Sequence, residues 1–125
     1  MNVVDSSGWI EFFQAGRNGP IFKPVIEARD SLLVPTISLF EVHKVLSRAL
    51  SEDLVTRCLD VMRLGRVLDF TDKRAIAASK AAQRYRLALA DAAMYSIAQE
   101  HKATFWTQDI DYDGLPGVKY FGKPV

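Results

Sequence analysis

Five acids hold most of this chain's capacity for chemistry. Asp5 closes the apolar run Asn2–Val4, and Glu41 lies inside a helical pattern. Asp91 stands at the front of another helical pattern, while Asp109 and Asp111 follow the run Ala103–Thr107. Ligands of a parallel α/β sheet bind outside the carboxyl ends of its strands, so acids at strand ends are site candidates. Crowded carboxylates repel one another and raise each other's pKa, and a hard cation removes that penalty. Oxygen ligands with no neighbouring His or Cys favour Mg2+ or Mn2+ over zinc. Such a cluster leaves some metal positions to water and suits phosphoryl chemistry. The metal acidifies a water, and metals clamp the attacking and leaving oxygens.

Each acid also has a plainer reading. Asp5, between a strand and a helix, is a preferred N-cap. Ser38-Leu-Phe-Glu41 matches a capping box, whereas a helix start at Pro35-Thr36 places Glu41 inside the helix with its carboxylate free. Asp91 is an acid near a helix N-terminus, where the dipole favours it. Its neighbours Leu89, Ala90, Ala92, Ala93 and Met94 leave it either desolvated or paired with a cation. Asp109-Ile-Asp111-Tyr-Asp113-Gly114 copies the opening of an EF-hand calcium loop, yet Tyr120 stands where that loop needs Glu and a strand precedes it. What favours a site is the distribution: these acids gather near one edge of the expected sheet.

Asn2–Asp5, Leu32–Pro35, Val67–Phe70, Ala103–Thr107 and Val118–Phe121 read as short buried strands. A helix holding Trp9, Ile10, Phe12 and Phe13 follows the first, and a second runs from about Pro20 to Ala28. Ile37–Leu50 keeps Leu39, Val42, Val45, Leu46 and Leu50 near a 3.6 period. Ser51 caps the next helix, with Glu52 and Asp53 in its first turn, Leu50 and Val55 as a hydrophobic staple, and Gly65 at its end. Thr71 or Asp72 caps an Ala-rich helix, and Leu89–Glu100 is the last. Strands alternating with helices predict one α/β domain over residues 1–125. Its mostly parallel central sheet of four to five strands is flanked by helices on both faces. Right-handed crossovers bring the strand carboxyl ends to one edge.

Composition narrows the classes. A formal charge of +1 argues against a dedicated electrostatic DNA coat. One cysteine, Cys58, excludes an internal disulfide framework and fits a reducing compartment. The N-terminus has no basic or apolar signal-peptide region, and no apolar run reaches the roughly 20 residues of a membrane span.

Val3-Val4-Asp5-Ser6-Ser7-Gly8-Trp9, Val34-Pro35-Thr36 through Glu41, Leu89-Ala90-Asp91-Ala92 and Thr107-Gln108-Asp109-Ile110-Asp111-Tyr112 stand in order at suitable spacing. Together they resemble the four motifs of PIN-domain ribonucleases, and within them the VapC-type toxins of prokaryotic type II toxin–antitoxin pairs. The resemblance covers essentially the whole chain, including the closing Leu115-Pro-Gly-Val-Lys-Tyr-Phe121. It implies a PIN-like, flavodoxin-like domain and Mg2+- or Mn2+-dependent endonucleolytic cleavage of RNA that leaves a 5′-phosphate. Carried over, Asp5, Glu41, Asp91 and Asp109 match the catalytic, metal-binding quartet. Asp5, Asp91 and Asp109 would hold a first ion. Glu41 would hold a second ion or orient the attacking water. Ser6 or Ser7 matches a hydroxyl beside the first acid, and Thr107 the threonine before the fourth. Asp111 matches a frequent extra acid of varying role, and Tyr112 stands where the family often has Phe. The resemblance also implies a cytoplasmic protein with a small antitoxin encoded next door, whose tail covers the active-site groove. A homodimer is implied too, for which the apolar surface of the 37–65 helix pair is one candidate.

Lys44, one turn after Glu41, and Arg84 and Arg86, flanking Tyr85, are candidates for RNA contact. Trp106 reads as core. His43 and His101 fall on separate helices and do not form an acid–base pair that would use the RNA 2′-hydroxyl. Three alternatives compete: a housekeeping PIN-domain RNA-processing nuclease, a receiver-like signalling module, and a non-catalytic Mg-binding interaction module whose acids cap helices. A receiver needs an acidic pair after its first strand and a phosphoacceptor Asp ending its third. Here Asp5-Ser6 follows the first, and Asp69 falls inside the run VLDF.

Overall fold

The computed structural model describes residues 1–123. Five parallel strands, β1 (Asn2–Val4), β2 (Leu32–Pro35), β3 (Arg66–Leu68), β4 (Thr104–Thr107) and β5 (Val118–Tyr120), form one sheet in the order β3-β2-β1-β4-β5. Six helices flank it: α1 (Ser6–Phe13), α2 (Gly19–Glu27), α3 (Thr36–Leu46), α4 (Glu52–Met62), α5 (Asp72–Tyr85) and α6 (Leu89–Glu100).

Alternation along the strands divides the core. Val4, Leu32 and Val34 pack on one face with Trp9, Phe22, Val42 and Leu46 from the first three helices and Val55 from α4. Val3, Leu33 and Phe105 pack on the other with Ala81 of α5 and Ala92, Met94 and Ile97 of α6. The chain therefore winds outward from β1 to the edge strand β3 under α1–α4, then crosses to β4 under α5 and α6. The winding reverses between β1 and β4, not between β1 and β3 as the flavodoxin-like expectation has it, which opens a crevice at their carboxyl ends.

Three local expectations change. The third helix starts at Thr36, with Pro35 at its N-cap position, and ends at Leu46 instead of Leu50. Ala49 and Leu50 fold back as a turn onto the Leu46 carbonyl, because Ser51 must begin α4, where its hydroxyl accepts the Leu54 N–H at 3.3 Å. Asp69 lies beyond β3, not inside it. Leu68 pairs with Pro35, which has no N–H with which to carry the ladder further. Gly65 has a negative φ and stands beyond the end of α4. A Cβ there would sit 2.9 Å from Val34 Cγ2 and 3.1 Å from the Leu32 carbonyl oxygen, so this glycine serves close approach to β2 and not a left-handed cap.

Candidate acid cleft at the β1–β4 strand ends

Asp5 leaves β1 with its N–H on the Trp106 carbonyl oxygen, which ties it to the end of β4. It occupies the N-cap position of α1, yet its side chain caps nothing. Its Oδ2 instead accepts the Ser7 hydroxyl at 2.7 Å and the Thr107 hydroxyl at 2.8 Å, and Ser6 approaches Oδ1 at 3.5 Å. The direction of both short bonds is set from behind. Ser7 Oγ accepts the Gln108 N–H and Thr107 Oγ1 accepts the Asp109 N–H, so each hydroxyl has its proton for Asp5. Asp5 is 1 % exposed. Burial pushes its carboxyl up to about 6 against the pull of Ser7 and Thr107, and the charges of Asp91 and Asp109 push the same way.

Asp109 turns the chain out of β4. Its Oδ1 accepts the Asp111 N–H at 3.0 Å and caps a short 3-10 turn, Ile110–Tyr112, the polar turn that displaces the calcium-loop reading. That turn buries Tyr112 completely, its ring 4.7 Å from that of Phe105. The Tyr112 hydroxyl lies by the Asp91 carboxylate without reaching strict hydrogen-bond geometry. Burial and the charges of Asp5 and Asp91 hold this phenol well above its usual range.

Asp91 stands in the first turn of α6, half-buried. Among the described residues no cation pairs with it, so the desolvated alternative holds. Burial raises its pKa, and Asp109, Glu41 and Asp111 add to the rise while Tyr112 opposes it. Glu41 lies inside α3, clear of any capping box. Ser38 is itself helical and buried, with its hydroxyl unpartnered.

Asp5, Ser6, Ser7, Glu41, Asp91 and Asp109 all line one cleft of about 500 Å³. Carboxylate oxygens of Asp91, Asp109 and Asp111 lie within 4.8 Å of one another, which adds the secondary acid Asp111 to that pair. Three uncompensated carboxylates with oxygen-only donors fit a hard divalent cation. A groove of similar size between α3 and α4, about 460 Å³, carries His43, Glu52 and Arg63 but no strand end and no acid cluster.

The cleft also contains Glu11, Gln14, Gln108 and Lys123, which the sequence reading did not single out. Ser7, Glu11 and Gln14 share a face of the first helix and its end, a spacing visible in the sequence. Gln108 sits inside a motif that was read only for its neighbours, and nothing local marks Lys123. Lys44, Arg84 and Arg86 do not line the cleft. Arg84 is exposed and lies 5.4 Å over the Tyr85 ring, and Tyr85 meets Tyr95 edge-on at 5.3 Å. Arg86 takes the left-handed C-cap position of α5, at φ 56°. His43 and His101 are on different helices and outside the cleft. Trp106 is half-buried, its indole N–H on Asn2 Oδ1.

The PIN domain family model matches residues 3–118. No protein of curated function matches the sequence. Among solved structures, a toxin–antitoxin complex from Klebsiella pneumoniae is similar at TM-score 0.80 and 22 % identity, covering 98 % of this chain and 99 % of that one. VapC20 of Mycobacterium tuberculosis, described as a sarcin–ricin loop cleaving toxin, is similar at TM-score 0.72 and 16 % identity, covering 90 % and 92 %. VapBC2 of Rickettsia felis, bound to a DNA fragment from its promoter, gives TM-score 0.72 and 13 % identity, covering 97 % of each chain.

Proposed function

This chain belongs to the PIN-domain family, and on that premise we propose that it is a metal-dependent endoribonuclease, the toxin of a VapBC-type toxin–antitoxin pair. The observation that carries the reading is the convergence of Asp5, Glu41, Asp91 and Asp109 on one cleft, with no basic side chain paired to Asp91 among the described residues. Asp91 and Asp109, with Asp111 and Asp5 directly or through water, would hold Mg2+ or Mn2+. When bound, the cation supplies an acidified water and relief of charge on the phosphodiester. Ser7 and Thr107 hold the Asp5 carboxylate in one orientation, so it needs no rearrangement during the reaction. Glu41, more exposed than Asp5, would hold a second ion or orient the attacking water. Water attacks phosphorus, the 3′-oxygen leaves, and the 5′-phosphate stays on the downstream fragment. The position of both histidines outside the cleft agrees with a route that leaves the 2′-hydroxyl unused.

Strand order argues against the receiver alternative. The third strand of such a module lies beside its first, whereas β3 here is at the sheet edge. The similar structures that are toxin–antitoxin complexes support a small antitoxin partner. Exposed Phe40, Leu54 and Leu64 supply apolar surface for a homodimer, which light scattering of the purified chain would measure. The deciding experiment incubates the antitoxin-free chain with total cellular RNA and Mg2+ or Mn2+, beside Asp5→Ala and an EDTA control, and maps the cut ends. Discrete cuts lost in both controls support the nuclease; RNA cut equally in all three lanes removes it.

A further inference from the structure

Gln108 is 7 % exposed and lines the cleft. Its amide is oriented by Asn18, itself 8 % exposed in the loop between α1 and α2. One Asn18 side-chain atom lies 3.1 Å from the Gly122 carbonyl oxygen and 3.0 Å from the Gln108 amide. A carbonyl oxygen only accepts, so that Asn18 atom is the nitrogen. A nitrogen with two donor hydrogens offers no acceptor, so the Gln108 atom facing it is the oxygen. The partners thus fix two amides whose ends are otherwise interchangeable. That leaves the NH2 group of Gln108, a residue that lines the cleft, without a partner among the described residues.

Asn18 is held in turn. Its N–H donates to Glu11 Oε2 at 3.2 Å, and Gly16 makes room for that carboxylate, since a Cβ there would lie 1.9 Å from Oε1. Apart from Ile10, the cleft otherwise presents carboxylates, hydroxyls and the exposed Gln14 and Lys123. A phosphodiester entering it meets repulsion from the acids and needs donors; Gln108 is the buried, pre-oriented one. We propose that the Gln108 side-chain amide donates a hydrogen bond to a non-bridging phosphate oxygen of the RNA strand, and that Asn18 is the positioning residue that turns the NH2 group toward the cleft. The proposal rests on the nuclease reading and adds a substrate contact to it.

The test reads binding and cleavage separately. Anisotropy of a labelled single-stranded oligoribonucleotide in Ca2+ buffer gives Kd, and cleavage of the same RNA in Mg2+ gives KM and kcat. Gln108→Met keeps the size and removes the donor. A hydrogen bond to a charged group corresponds to about a tenfold or larger loss. Kd and KM should rise about tenfold with kcat nearly unchanged, because a contact made equally in both states is lost. Asn18→Asp keeps Gln108 but offers it only an acceptor, so the amide reverses and its oxygen faces the phosphate; Kd and KM should rise at least as far. The Mn2+-induced rise in Tm should persist in both variants, which a general collapse of the cleft would abolish. An unaltered chain that binds RNA, with Gln108→Met binding and cutting equally well, overturns this inference alone. An unaltered chain that binds RNA without cutting it, while Gln108→Met binds about tenfold more weakly, removes the nuclease reading and leaves the contact. An unaltered chain that does not bind RNA overturns both.

Discussion

Two strands of this sheet are followed directly by an aspartate, and only one of the two lines the acid cleft. Asp5 follows β1 and Asp69 follows β3, each after a short apolar run. The strand order separates them. β1 is central and borders the reversal of winding at β4, whereas β3 is the edge strand. Asp5 is therefore buried against hydroxyls from α1 and β4, with Asp91 and Asp109 lining the same cleft. Asp69 is exposed, and its carbonyl accepts the Arg74 guanidinium at 2.8 Å, which also grips Glu100. A strand-end acid joins a cluster where the topology concentrates several of them, and elsewhere it borders an ordinary surface ion pair.

The largest expected contrast is in activity. Asp91→Ala and Asp5→Ala should lower RNA cleavage on the order of a thousandfold, the scale of losing preorganised charge in a site. Asp69→Asn should cleave within about twofold of the unaltered chain, as expected of a change remote from the reacting groups. Equal losses at Asp5 and Asp69 in a gel cleavage assay would erase the distinction between the two ends.

That distinction was only partly legible in the sequence. Strand-end acids, periodicity and the alternation of elements are local signals, so the class of fold and the quartet of acids could be read. Burial depends on strand order, which no local signal carries. The apolar run VLDF predicts Asp69 inside its strand, but the ladder ends where Leu68 pairs with Pro35, so Asp69 lies outside it. Asp111 is secondary in the sequence because it matches an extra acid of varying role, and its approach to Asp91 and Asp109 is made by a turn that Asp109 caps. Asn18 was invisible because its partners, Gln108 and Gly122, lie 90 and 104 residues away.

The two ends should also differ in the sign of their pH dependence. Asp5 has its pKa raised to about 6, above the ordinary value of an unfolded chain. Between about pH 4 and 6 the folded, metal-free chain holds a proton that the unfolded chain has released, so stability falls as pH rises through that window. Two pKa units correspond to about 3 kcal/mol. In EDTA at pH 7, Asp5→Asn should therefore be the more stable chain by up to about that amount, with the advantage disappearing near pH 4. Glu100 runs the other way. Hydrogen bonding from Arg74 holds its carboxyl below the usual range, so its contribution is present at neutral pH and is lost as pH falls through the folded-state value. Urea melts of Asp5→Asn and the unaltered chain across this range test the sign directly. An Asp5→Asn chain less stable than the parent at pH 7 would refute the desolvation account.

Metal should reverse the Asp5 result. At a Mn2+ concentration about a hundred times its Kd, binding to the folded chain adds about 2.7 kcal/mol. For a domain of this size that raises Tm by roughly 10 °C. The rise should vanish in Asp91→Asn and persist in Asp69→Asn. A rise of equal size in all three would place the ion away from the cleft.

The smallest effect belongs to the edge-strand end. Arg74 donates to both Glu100 carboxylate oxygens, at 3.1 and 3.0 Å, and joins α5, the end of α6 and the turn after β3. The Glu100 side chain is 42 % exposed, so solvent screens the pair despite its two-point geometry. Arg74→Ala should lower stability by about 1 kcal/mol or less and leave RNA cleavage and the Mn2+ response unchanged. Arg74 bridges α5 and the end of α6 and does not line the acid cleft, which is built from α1, α3, the ends of β1 and β4 and the start of α6. A substantial loss of cleavage in a well-folded Arg74→Ala chain would mean that the grip on Glu100 holds α6, and through it Asp91, in place. The two strand ends would then be coupled along one helix instead of independent.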